Sequence, residues 1–180
     1  KMKKIITMTV MTILVSNAFS AQILNNKNNT LFPNKELRSL IFGNYSLDTE
    51  LAVVSKVSGG KQESITKAEN EAKSDLQAAA RDYSYNILND YLTGSLITGP
   101  GFDSKKMKEF ADDISKELIN NAEKRGMWTT SKNETVVLYT LNKQLVKNAS
   151  AKAFSERLDS VVVKLTEYKN VFQQTQLTEY

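Results

Sequence analysis

Apolar residues recurring at intervals of three and four dominate the middle of this chain. Ile65, Ala68, Ala72, Leu76, Ala79, Tyr83, Ile87 and Tyr91 line one face of an α-helix when spaced this way. The spacing predicts a helix over 66–92, opened by the capping-box pair Thr66 and Glu69 and stopped by Gly94. A second stripe, Met107, Phe110, Ile114, Leu118 and Ala122, predicts a helix that starts at Asp103 or Ser104 and closes at Arg125-Gly126. Between the two, Gly99-Pro100-Gly101 demands loop dihedrals. Elsewhere the pattern shortens to that of strands. Val53, Val54 and Val57 suit a strand over 51–57, and a short one over 127–131 surrounds Trp128. The segment 135–141 is apolar on both faces, as expected of a covered, central strand. The turn Lys132-Asn133-Glu134 makes the last two strands antiparallel. The fold class that follows is α+β: a three-stranded antiparallel sheet packed against two or three helices, with a long C-terminal helix.

That last helix, capped by Asn142 and running from 143 to about 172, carries a different period. Phe154, Leu158, Val161, Leu165, Tyr168 and Phe172 alternate steps of four and three, a heptad seam that favours a partner helix. Either the domain's own helices or a second copy could fill that role. The seam is a candidate for self-association.

At the other end, Lys1, Lys3 and Lys4 precede an apolar run from Ile5 to Val15, and Ala18-Phe19-Ser20 supplies small residues for cleavage. This predicts a signal peptide over 1–20, shorter in its apolar run than the roughly 20 residues a bilayer span needs. No integral span is expected after cleavage. An Asn-rich arm with the short helix Lys35–Phe42 fills 21–44, and a single α+β domain is expected over 45–180, its C-terminal helix starting near 143. Three of the 24 basic residues and none of the 20 acids lie in 1–20, so the remainder carries a formal charge of +1 where the whole chain has +4. The basic balance therefore gives no support for nucleic-acid binding.

Chemistry is sparse. The chain has no histidine and no cysteine, which removes the commonest general base, metal ligands and thiol nucleophile, and leaves no residue to carry a lipid after the apolar run. Ser64 and Lys67 have the Ser-x-x-Lys spacing of an acyl-enzyme, but the Ser-Asp-Asn and Lys-Thr-Gly elements that such a site needs are absent, so a solvated first turn is preferred. Glu109, Asp113 and Glu117 share a helical stripe interleaved with Lys105, Lys108 and Lys116, which reads as an ion-paired face. Gly59-Gly60-Lys61 lacks the rest of a phosphate loop. Tyr83, Tyr85 and Tyr91 read as packing residues, and Trp128 as core. No catalytic, metal or cofactor-binding residue is assigned, and no cofactor is expected.

With those residues in view, the segment 113–147, DISKELINNAEKRGMWTTSKNETVVLYTLNKQLVK, resembles the LPP-twenty lipoprotein family of bacterial envelopes. The stretch ITKAENEAKSDL over 65–76 is similar to that family's Ala-rich helix, and the likeness spans about 51–153. The resemblance implies a helix-on-sheet α+β domain, outer-membrane or surface association, and in some members an accessory part in a flagellar motor. It implies no enzymatic activity. The lipidated cysteine of the family is missing here, which shifts the expectation to a periplasmic or secreted protein, peripheral to the outer membrane at most. The function expected is that of a non-catalytic exported envelope or secreted protein with a structural or interaction role. Its expected partners are itself, as a homo-oligomer, or other envelope proteins. The alternative is a secreted ligand-binding module or hydrolase, its site formed by Tyr91, Trp128 and nearby carboxylates.

Overall fold

The computed structural model describes residues 35–97, 99 and 101–178; the expected signal segment 1–20 and the arm up to residue 34 lie outside the described residues. In chain order come α1 (Lys35–Phe42), β1 (Glu50–Ser58), α2 (Gln62–Ser95), α3 (Ser104–Leu118), a 3-10 turn (Ile119–Asn121), β2 (Glu123–Thr129), β3 (Glu134–Asn142) and α4 (Lys143–Thr178). This is the expected α+β class with a three-stranded antiparallel sheet and a long C-terminal helix. Two compact units emerge: one holds the described residues up to Leu76 with Ala122–Leu141, the other Gln77–Asn121 with those from Asn142 onward.

The first unit is built on β3, the middle strand in the order β1-β3-β2. β2 and β3 pair antiparallel, with Met127 opposite Val137 and Trp128 opposite Val136. β1 also runs against β3, since Glu50 meets Thr140 at one end while the Gly59 carbonyl accepts from Thr135 Oγ1 at the other. Every residue from Thr135 to Leu141 is buried, as the two-faced apolar pattern requires. On one face Val136 and Leu138 join Ala52, Leu37 and Ile41, with Val54 and Trp128 partly buried beside them. Leu37 and Ile41 stand four apart on α1, so this helix lays one side on the sheet. Towards the other face turn Val137, Tyr139 and Leu141, where the Lys73 amine of α2 lies 5.4 Å from the Tyr139 ring.

Three helical segments make the second unit. Its buried residues are Ala80, Ser84 and Leu88 of α2, Phe102 of the following loop, Met107, Ala111, Ile114, Ser115 and Leu118 of α3, and Val146, Ser150 and Phe154 of α4. Asp103 caps α3 by accepting from the Lys106 N–H at 2.8 Å, and Asn142 caps α4 by accepting from the Gln144 N–H at 2.7 Å.

Several expected boundaries move. α2 begins at Gln62, with Thr66 already inside it and donating its hydroxyl to the Gln62 carbonyl, so Thr66 and Glu69 do not form a capping box. Gly94 does not stop it. The helix runs to Ser95, and Leu96 turns the chain with φ 55. The buried stripe of α2 is also not the expected one. Ala68, Ala72, Leu76, Ala80, Ser84 and Leu88 are buried at uniform steps of four. Each such step overshoots a turn by about 40°, so the stripe winds around the helix and leaves Ala79, Tyr83 and Ile87 half-buried and Tyr91 exposed. Finally, α3 ends at Leu118, and Arg125 and Gly126, expected to close it, lie in β2.

Candidate functional site

The heptad seam of α4 divides in two. Phe154 is only 7% exposed, its ring 5.5 Å from that of Tyr91 and 5.8 Å from that of Phe102. Leu158 and Val161 are half-buried. Beyond them Leu165, Tyr168 and Phe172 are 62%, 71% and 64% exposed, and every described side chain from Val162 to Gln174 is exposed. A continuous period thus spans two situations: its near end closes the core of the second unit, and its far end offers apolar side chains to solvent. Removing water from such a strip is favourable in proportion to the area covered.

Two grooves open in the second unit. One, of about 570 Å³, lies where the end of α2 meets α4, with Asp90, Tyr91, Ser95, Phe154, Ser155 and Leu158 among its lining residues. The other, of about 530 Å³, has Arg81, Tyr85, Lys105, Lys108, Glu109 and Asp112 among its lining. In the latter Lys108 sits 5.6 Å from the Tyr85 ring, and Tyr85 Oη is 2.8 Å from Ser104 Oγ. The charged face of α3 is ion-paired as expected, though with different partners: Lys106 with Glu109, and Lys116 with Asp112. The Lys106 hydrogen bond and charge hold the Glu109 carboxyl below its ordinary range, and Asp112 likewise raises the Lys116 amine. Among the described residues no cluster of three or more ligand-type side chains is placed to hold a metal ion.

Polar clusters in the first unit bind strand to strand. Glu50 accepts from the Ser46 N–H at 2.9 Å, from Thr140 Oγ1 at 3.2 Å and from Arg125. Partial burial pushes the Glu50 carboxyl up, but the Ser46 N–H, the Arg125 guanidinium and the Thr140 hydroxyl together hold it below its ordinary value. Lys56 bridges to Glu134 at 2.9 Å, and Glu134 also accepts from Thr130 Oγ1 at 3.0 Å. These contacts join the three strands, and both anions, Glu50 and Glu134, meet a cation and a hydroxyl.

The residues weighed for chemistry are scattered among such tasks. Ser64 lies in the first turn of α2 beneath Gly59, whose φ of 103 and missing side chain let the hydroxyl approach. Tyr91 belongs to the second unit and packs with its ring tilted against Phe154, while Trp128 belongs to the first and packs on its core. Phe102 was not singled out by the sequence, because it falls in the glycine-rich loop outside any periodic stripe; yet it is buried against Phe154. A lone aromatic in a polar loop was the available signal. Comparison with models of known protein families finds no match to this chain. Comparison with curated proteins finds none either.

Proposed function

We propose that this chain is a non-catalytic exported protein of the bacterial envelope or its surroundings, acting by attachment through the far half of α4. The observation that carries this is the exposure of Leu165, Tyr168 and Phe172 on a helix whose first seam residue, Phe154, is core. Exposed apolar side chains repeating along one helix face mark an interaction surface. The resemblance to the LPP-twenty lipoproteins supports an envelope setting, periplasmic or secreted and peripheral to the outer membrane, with an accessory role in a cell-surface or flagellar assembly. A second reading, a ligand-binding module, draws on the groove beside Tyr91, whose 570 Å³ lies within the range of small-molecule sites.

Cell fractionation tests attachment. The double variant Leu165→Asp, Phe172→Asp alters exposed positions only, so its stability should stay within about 0.5 kcal/mol of wild type. Attachment predicts that wild type is retained with the envelope and the variant is released. Equal retention of the two overturns it.

A further inference from the structure

We infer that the occupant of the far face of α4 is an anionic lipid surface, on which the helix lies flat. The inference rests on the attachment reading above and adds the chemistry of what is covered. With about 100° between successive residues of a helix, Val161, Val162, Leu165, Tyr168 and Phe172 fall within one broad arc. Lys164 and Lys169 border or interrupt that arc on either side of Leu165, while Glu156, Asp159 and Glu167 all fall on the opposite side. Beyond Lys152, which pairs with Glu156 on the acid side at 3.8 Å, the charges are sorted by sign: Lys164 and Lys169 go with the apolar face, and the acids turn away from it. Val163, among the acids, and Val171, between Glu167 and Lys164, are apolar residues outside the arc, and both are exposed.

This sorting separates the occupants. A second copy packed along the seam in parallel would set Lys164 of one helix against Lys169 of the other, and no acid flanks the seam to relieve them. Like charges at those positions oppose pairing. An acidic partner helix would answer the charge, but the exposed seam spans fewer than three heptads, and Val162 widens it beyond the narrow stripe that a coiled coil buries. A lipid surface meets both features. It accepts a broad apolar arc without shape matching, and lysine stems can lie along the acyl boundary with their amines among anionic headgroups. Tyr168, apolar in body and polar at its tip, suits the same depth. Among the described residues no helix is long and apolar enough to cross a membrane, so the contact proposed is an interfacial one.

The chain has no cysteine, so one introduced cysteine bearing an environment-sensitive dye reports from a single place. Full-length chains with Val163→Cys, Leu165→Cys, Tyr168→Cys or Phe172→Cys are mixed with vesicles of phosphatidylcholine alone or with phosphatidylglycerol added. The inference predicts a blue shift at 165, 168 and 172 but not at 163, only with phosphatidylglycerol. High salt should reverse it, and adding Lys164→Glu with Lys169→Glu should weaken binding by about tenfold or more. A shift that grows with protein concentration in the absence of vesicles overturns the inference in favour of a second copy. A shift equal on both vesicle types, or one that includes position 163, overturns the anionic interface. No shift at any position, while the Leu165→Asp, Phe172→Asp variant still leaves the envelope, overturns lipid and leaves attachment to an acidic protein. No shift and no release removes attachment itself.

Discussion

At position 126 the absence of a side chain lets the Trp128 ring lie back along its own strand. A Cβ there would clash with the indole at its Cη2 and Cζ2 atoms. The ring in turn covers Val136 and its neighbours on the α1 face of the sheet. Gly126→Ala should therefore cost about 1–3 kcal/mol of stability, as overpacking does, measured by urea unfolding. Replacing Trp128 by Val removes the obstructing atoms, so the same Gly126→Ala change made in that background should cost much less. Equal costs in the two backgrounds would place the effect in the backbone. Glu50 gives the second prediction at this scale. Its carboxyl is held below the ordinary value of 4.5 in the folded chain. A carboxyl depressed on folding contributes stability above its unfolded value, and that contribution is lost as pH falls through the folded one. Stability should thus decline in acid from about pH 5 downward. Glu50→Gln, which keeps the shape and drops the charge, should be less stable at neutral pH and show a shallower decline, as read from urea unfolding across that range.

Among the elements, α2 shows how a helix can be read correctly and its face misread. Its existence was legible from Ala68, Ala72 and Leu76; its winding stripe was not, because Ser84 is polar and so stood outside an apolar count. Ser84 is buried through a hydroxyl pair, 2.8 Å from Ser150 Oγ. Ser150 donates its only proton to the Val146 carbonyl at 2.8 Å, which leaves Ser84 as the donor between the two hydroxyls. Ser150→Ala strands that buried donor and should cost about 1–3 kcal/mol in unfolding experiments. Ser84→Ala removes only one bond that Ser150 accepts and should cost less. With both replaced, no hydroxyl remains at this contact, and the cost should fall below that of Ser150→Ala alone. The strands were legible for the opposite reason. β3 carries apolar residues on both faces, a pattern that only a covered strand explains. β2 was clipped at its start because Arg125 looks like a helix-end cation. It extends from Glu123 because Arg125 binds Glu50 and Thr140, partners that no local period can reveal. Cross-strand ion pairs, loop aromatics such as Phe102 and hydroxyl pairs share this property: each depends on residues brought together from distant parts of the chain.

For the molecule as a whole, the account turns on the division of α4. Its near half, through Val146, Ser150 and Phe154, is buried in the second unit; its far half exposes Leu165, Tyr168 and Phe172. The heptad was fully legible in the sequence, whereas the point at which it leaves the core was not, since the same spacing serves both halves. A helix end whose described side chains are exposed opens easily, because few buried contacts support its backbone hydrogen bonds. Covering it should stop that opening. Amide hydrogen exchange along α4, read in the free protein and again with isolated envelopes, tests this most directly. The account predicts strong protection over 146–158 in both states. Over 162–174 it predicts weak protection in the free protein and a marked gain once envelopes are added. Protection over 162–174 that already matches 146–158 in the free protein, or that envelopes leave unchanged, would contradict it.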